Sequence, residues 1–289
     1  MLKTNKFNII WESQCKENIN SITLWKDYIL VNSENKSEIH IYDENNGKYL
    51  KNLINNEHIF GLKKSQDNLI INDYLFTIDN SLGLCQIFNM FTNKPIAIFG
   101  FNNLKMPNSV TGIYENGIYI LYISDANTNS IFKYKLQIID NEIVNLQNNK
   151  FISLPNSNLE LILIDNKHKR ILAFDELNNY IQIFDYNGKI INKINGKIEN
   201  MVIHGDYYIF NDKSDDSNML HLFSRDKIKY YTSYYSPVAK NITSIFSDNE
   251  YLYIINNYCS IKKIKLQLET NNNKLLLLTI GTLMYKLLS

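Results

Sequence analysis

Glycine and proline are scarce in this 289-residue chain, at ten and four, and cysteine is limited to three. The first shortage excludes collagenous and Gly/Pro-rich low-complexity architectures. Cys15, Cys85 and Cys259 are odd in number and far apart, so neither a disulfide framework nor a CxxC metal site is readable. Cys15 and Cys259 meet only if the two ends of the chain pair. An excess of charge is also missing: the net charge is +1, without the basic surplus of a dedicated nucleic-acid binder. Lys262, Lys263 and Lys265 form a short basic group that reads as a solvated strand edge, which discourages edge pairing. Long apolar runs are few. The most apolar stretch, Leu275–Leu288, is interrupted by Lys286 and falls short of the roughly 20 residues of a membrane span. It reads as a buried closing strand, and no membrane segment is expected. Met1–Trp11 lacks the apolar core of a signal peptide, so a cytoplasmic location is expected, or a secreted or periplasmic one if the N-terminus is incomplete.

No segment shows sustained 3.6-residue periodicity, and the GxSxG, P-loop, HExxH and GxGxxG patterns are absent. His40, His58, His168, His204 and His221 lack ligand spacing; His40 and His221 alternate with apolar neighbours, which puts them within sheets. What is abundant is tyrosine (20), phenylalanine (14) and an overall 45% of hydrophobic residues, enough for a substantial core. Apolar segments separated by Asn-rich ones predict strands joined by turns.

One phrase recurs along the chain. A short apolar strand, a polar turn, a second apolar strand, an Asp/Asn-rich loop and an alternating strand ending in a large apolar residue appear six times. Examples are "DYILVNSENKSEIHIYDENNGKYL", "DYLFTIDNSLGLCQIFNMFTNKPIAIFG" and "LELILIDNKHKRILAFDELNNYIQIFDYNGKIINKI". Equivalent third-strand positions are Tyr42, Phe88, Tyr134, Phe184, Phe223 and Ile264, spaced 39 to 50 residues apart. That period matches one four-stranded antiparallel blade per copy, and the fold is predicted to be all-β, a six-bladed β-propeller. The chain is read as a single domain, expected to be monomeric. Its blades are placed at about 19–55, 69–100, 109–147, 159–194, 198–235 and 242–289. Residues 6–11 or 275–280 would supply the outer strand of the last blade.

In a propeller the loops between second and third strands gather on one face, together with the loops entering the first strands. Here they carry Glu34 and Lys36, Asp79, Asp125, Asp175 and Glu176, then Asp212, Lys213, Asp215 and Asp216, with Asn256 and Asn257 in the last. Such a rim could hold a hard cation such as calcium, which takes several oxygen ligands. The same residues could instead accept hydrogen bonds from their own turns, as Asp and Asn at strand ends commonly do.

The repeats resemble the phytase-like β-propellers. "LILIDNKHKRILAFDELNNYIQIFDYNGK", "HGDYYIFNDKSDDSNMLHLFSRD", "IAIFGFNNLKMPNSVTGIYENGIYILYISD" and "NINSITLWKDYILVNSENKSEIHIYDENNGKYL" carry the likeness, over roughly residues 10–268. The resemblance implies a calcium-dependent phosphomonoesterase of the 3-phytase type, in which calcium neutralises phosphate charge and activates water. Residue by residue it implies Asp175, Glu176 and Glu199 as metal ligands, with Lys36 and Glu199 in catalysis. The departures are numerous. The opening acidic motif reads "INSITLW" (Ile19–Trp25) and a later one reads "ITSIF" (Ile242–Phe246). Lys197 replaces an aspartate, Thr111 a tyrosine before Gly112, and no arginine stands near Asn80–Leu84. Loss of carboxylates lowers calcium affinity. The leading expectation is therefore a divergent propeller with a degenerate calcium/phosphate site, binding a small phosphorylated ligand or a protein partner at the channel mouth. The phosphomonoesterase is the alternative, and a lactonase-type propeller hydrolase the second alternative.

Overall fold

Strands that are apolar on both faces must be covered on both faces, and those of this chain are covered by one another. The computed structural model describes residues 7–33, 38–54, 62–212, 219–235, 241–257 and 259–266, with backbone only at 54, 212 and 235. The described residues form six four-stranded antiparallel sheets and no helix. Blade 1 contains β2 (Ile19–Trp25), β3 (Tyr28–Ser33), β4 (Ile39–Asp43) and β5 (Tyr49–Ile54). Blade 2 contains β6 (Ser65–Ile71), β7 (Tyr74–Asp79), β8 (Leu84–Asn89) and β9 (Lys94–Phe99). Blade 3 contains β10 (Pro107–Glu115), β11 (Ile118–Asp125), β12 (Ser130–Ile139) and β13 (Glu142–Ser153). Blade 4 contains β14 (Leu159–Asp165), β15 (Arg170–Asp175), β16 (Tyr180–Asp185) and β17 (Ile190–Asn195). Blade 5 contains β18 (Ile198–His204), β19 (Tyr207–Asp212), β20 (Met219–Ser224) and β21 (Lys229–Tyr235). Blade 6 contains β22 (Ile242–Ser247), β23 (Leu252–Asn256), β24 (Ser260–Leu266) and, from the other end of the chain, β1 (Phe7–Gln14).

The second and third strands of each blade lie between neighbouring blades. They read as near-continuous apolar runs, such as Ile171-Leu172-Ala173-Phe174, all buried. The fourth strands face solvent; β13 is polar and exposed over most of its length. The buried side chains fall into six clusters, each spanning one pair of adjacent blades, including blades 6 and 1. Six blades with six interfaces make a closed ring, so no blade keeps an uncovered apolar face. The first strands touch in the same cyclic order, β2 to β6, β10, β14, β18, β22 and back to β2.

Two features of blade length differ from the repeat pattern. The second blade begins at Ser65 rather than 69, because the first half of β6 is the polar run Ser-Gln-Asp-Asn and hides the strand. The third extends to Ser153, since the exposed run Gln147–Lys150 belongs to β13 rather than to a loop. Residues 275–288 lie outside the described residues.

The ring is fastened by β1, which pairs antiparallel with β24 from Phe7↔Leu266 to Gln14↔Ser260. Trp11 of β1 reaches across to blade 1, where its Nε1 donates to the Glu44 carbonyl at 2.9 Å. Its ring lies against Gly47, at which a Cβ would come within 2.6 Å of it, and whose φ of +71° also suits glycine. On the face opposite the Asp/Asn-rich loops, blades 4 and 5 are joined by a buried ion pair between Asp165 and Arg225 (2.5 Å), with Tyr208 donating to the same carboxylate. Burial alone would raise the Asp165 carboxyl; the hydrogen bonds from Arg225 and Tyr208 and the guanidinium charge override it and hold the group at about 2.

Candidate functional site

Every first strand carries a β-bulge at its second residue. The ladder to the second strand slips between Ile19 and Ser21, Ser65 and Asp67, Pro107 and Ser109, Leu159 and Leu161, Ile198 and Asn200, and Ile242 and Ser244. The skipped residues are Asn20, Gln66, Asn108, Glu160, Glu199 and Thr243. A bulged residue leaves the pairing and re-aims its side chain. All six line one cavity of about 300 Å³, together with Lys64, Asp67 and Ser244. Because each comes from the innermost strand of a different blade, this cavity is the mouth of the axial channel.

The channel wall is tied together by polar side chains next to the bulges. Asn20 Nδ2 donates to the Ser65 carbonyl at 3.1 Å, and its Oδ1 is buried without a hydrogen-bond donor. Asp67 accepts from Ser21 Oγ (2.9 Å) in blade 1 and from Ser109 Oγ and Val110 N (both 3.0 Å) in blade 3. Desolvation pushes the Asp67 carboxyl above its usual range, against the pull of these donors. Ser109 Oγ accepts in turn from Ile162 N of blade 4 at 3.3 Å, and Asn200 Nδ2 donates to the Ile242 carbonyl at 3.1 Å. The cavity is uneven around its rim. Blades 1, 2, 3 and 6 bring amides, the Thr243 and Ser244 hydroxyls, Lys64 and the Asp67 carboxylate already engaged by Ser21, Ser109 and Val110, while blades 4 and 5 bring the Glu160 and Glu199 carboxylates and the Asn200 amide.

The residues expected from the loops divide. Glu199 is half-buried in the channel, with Asn211 Nδ2 at 3.4 Å from its Oε2. Asp175 is wholly buried at the end of β15 and does not line the channel. Its Oδ1 accepts from the backbone N–H of Asn158 (3.0 Å) and Asn178 (3.2 Å), and its Oδ2 from Asn178 Nδ2 (2.8 Å). Asp79 and Asp125 have the same setting. Asp79 accepts from Lys63 N, Lys64 N and Leu82 N at 2.5, 3.1 and 2.9 Å. Asp125 accepts from Lys105 N, Met106 N and Thr128 N at 2.6, 2.9 and 2.9 Å. Each carboxylate clamps the entry to its blade's first strand onto the turn leaving its second. Glu176 lies just beyond, where Asn158 Nδ2 donates to its Oε2 at 3.0 Å and lies 3.5 Å from Glu160 Oε1. Lys36, together with Glu34, lies outside the described residues, as do Lys213, Asp215 and Asp216.

In blade 1 the clamp position is Ser33, whose Oγ donates to Glu17 Oε2 at 3.0 Å. There Glu17, Glu38 and His40 bring metal-capable atoms within 4.8 Å of one another. Glu38 is already engaged by His40 Nε2 (3.1 Å) and Asn52 Nδ2 (2.9 Å).

Glu160, Asn20, Gln66, Asn108 and Thr243 were not among the expected site residues. Their signal in the sequence is weak but regular: each is the second residue of a first strand and interrupts its alternation. "INSITLW" and "ITSIF", which lack the acidic residues of the phytase-like motifs, are β2 and β22, and they reach the channel through Asn20 and Thr243.

The sequence matches no protein-family model and no curated protein. Solved structures do match. They include the β-propeller domain of Cps50 (Swd1) from Myceliophteria thermophila, with a TM-score of 0.60 and 9% identity, covering 91% of this chain and 100% of that one. Virginiamycin B lyase from Staphylococcus aureus gives 0.62 and 13%, with 91% and 100% covered. The WD40 repeats of RRP9 give 0.63 and 10%, with 92% and 100% covered. At such identities the likeness concerns the fold alone, and the phytase-like resemblance rests on the sequence motifs. The chain is a six-bladed β-propeller with a polar axial mouth.

Proposed function

We propose that this propeller binds a small phosphorylated ligand at the axial mouth, with a divalent cation such as calcium on the side of Glu160 and Glu199. One observation carries the reading: all six bulged residues open into a single cavity, where Glu160 and Glu199 come from adjacent blades and the other carboxylate, Asp67, is already engaged by Ser21, Ser109 and Val110. The Lys64 ammonium, the amides and the Thr243 hydroxyl suit phosphoryl oxygens. The two glutamates are the hard oxygen ligands that calcium prefers. The proposal keeps Glu199 from the sequence reading and sets Glu160 beside it in place of Asp175 and Glu176. The Asp175 carboxylate already holds three N–H groups, and drawing it onto a metal would leave those donors unsatisfied.

Thermal unfolding with inositol phosphates and simple phosphate esters, each with calcium or with chelator, tests the proposal. A ligand specific for the native state raises the melting temperature in proportion to ln(1 + [L]/Kd). A calcium-dependent rise that disappears in Glu160→Gln/Glu199→Gln is expected; no rise with any phosphorylated compound would sink the reading. Chelator-sensitive release of phosphate in the same mixtures would turn the binding site into a phosphomonoesterase site.

A further inference from the structure

The two ends of the chain meet at Cys15 and Cys259. Cys15 directly follows Gln14, the last residue of the β1–β24 ladder, and Gln14 is opposite Ser260. The next pair in that register is Cys15↔Cys259, and the Cys15 N–H donates to the Cys259 carbonyl at 2.7 Å. Directly opposed residues of an antiparallel pair point to the same face. One backbone bond joins the two cysteines, the Cys259 N–H donating instead to the Asn256 carbonyl, and opposed residues of an antiparallel pair have Cα atoms about 4.5–5.5 Å apart. That separation is inside the roughly 4.4–6.8 Å window within which a disulfide closes without moving the backbone. Both side chains are partly exposed and both thiols are free. Cys15 packs in the cluster between blades 6 and 1, against Tyr42, so the pair sits where the ring is fastened.

We propose that Cys15 and Cys259 form a redox-sensitive clasp, oxidised to a disulfide that covalently closes the propeller. The oxidant class is a low-molecular-weight disulfide. One cysteine thiolate attacks it, forming a mixed disulfide and releasing one small thiol. The second cysteine attacks the protein-side sulfur and releases the other. Two protein S–H bonds and one small S–S bond are exchanged for one protein S–S bond and two small thiols. Burial raises the Cys15 thiol to about 12, so the reaction enters at Cys259 and Cys15 resolves the mixed disulfide. Closure at the chain ends constrains nearly the whole unfolded chain, the case in which loop-closure entropy is largest. In the reduced protein the same junction rests on the β1–β24 ladder and the Trp11 contacts, so its opening responds to the thiol state of the surroundings.

The test is incubation of the folded, full-length protein with oxidised glutathione, followed by intact mass and peptide mapping under non-reducing conditions. The expected product has lost about 2 Da, links the Cys15 and Cys259 peptides, and leaves Cys85 as a thiol. Its melting temperature should rise on the order of 10 °C over the reduced form and return on reduction. Cys85→Ser should behave as the parent, while Cys15→Ser should accumulate only the glutathione adduct at Cys259, without the thermal gain. Persistence of both thiols in the folded protein, or a stable adduct that never resolves intramolecularly, would overturn the clasp. So would a disulfide that leaves the melting temperature unchanged.

Discussion

Asp175 and Glu199 belong to equivalent corners of neighbouring blades, and the chain uses them in opposite ways. Asp175 ends a second strand, is wholly buried, and gives its oxygens to three N–H donors. Glu199 is the bulged second residue of a first strand and opens into the axial cavity. The two positions are almost in register: Leu159 opposes Asp175 in blade 4, and Ile198, the neighbour of Glu199, opposes Asp212 in blade 5. A shift of one residue across a hairpin thus decides whether a carboxylate is tied to a turn or faces the axial cavity. The same division recurs in blades 2 and 3, where Asp79 and Asp125 clamp turns while Gln66 and Asn108 face the channel.

The extreme of the structural class is Asp165, and breaking it should have the largest effect. Removing one partner of a buried ion pair strands the other charge, so Asp165→Asn is expected to cost about 3–5 kcal/mol. It should also alter the acid limb. The native carboxyl titrates at about 2 against an ordinary 3.8. A depressed carboxyl contributes stability that is complete above the unfolded value and disappears as pH falls through the native one, here about 2 kcal/mol lost between roughly pH 4 and pH 2. Chemical denaturation at pH 7, 4 and 2 checks both parts. If Asp165→Asn keeps the parent's slope between pH 4 and 2, the acid sensitivity belongs elsewhere.

Next in size is the clamp itself. Asp175→Ala leaves two backbone N–H groups and the Asn178 amide without their acceptor, at about 2–3 kcal/mol. Asp125→Ala should cost about the same, since its three donors are arranged alike. Neither change should weaken a ligand of the axial mouth, measured by calorimetry on the folded variant. Binding lost in Asp175→Ala at full folding would return that residue to the ligand site.

The repeat was legible because burial between blades imposes it. Strands covered on both faces must be apolar, so Ile171–Phe174 and their counterparts recur at blade spacing and disclose six copies. The rim loops were legible as places, since Asp79, Asp125 and Asp175 stand at the same point of each repeat. Their role was not legible, because a carboxylate that caps a turn and one that binds a cation look alike in one dimension. What separates them is whether the N–H groups of a loop 15 to 20 residues upstream fold back onto the oxygens, as Lys63, Lys105 and Asn158 do. The channel residues escaped for a different reason. A bulge breaks the two-residue alternation at the very position that matters, and the six side chains involved share no chemical type. Glu160 lay inside the quoted "LELILID" phrase, read as ordinary strand. The Cys15–Cys259 juxtaposition depended on strand pairing between the chain ends, which no local pattern encodes.

The smallest effect on stability should accompany the largest on binding, and this sharpens the contrast most. Glu199 is half-buried, and Asn211 Nδ2 approaches it at the long distance of 3.4 Å. Glutamine preserves its shape and one acceptor oxygen. Glu199→Gln should therefore cost about 1 kcal/mol or less of unfolding free energy, below the clamp substitutions. Removing a carboxylate from a calcium set lowers affinity through ligand charge, so calcium-dependent binding should weaken at least about tenfold, or 1.4 kcal/mol. Glu160→Gln should repeat the pattern from the adjacent blade. The decisive measurement is a double-mutant cycle on calcium affinity with the two glutamines. Carboxylates that share one ion couple, so the double variant should lose less than the two single losses added together. Strict additivity would mean that Glu160 and Glu199 act on separate ligands, and the cavity would then hold two independent subsites rather than one.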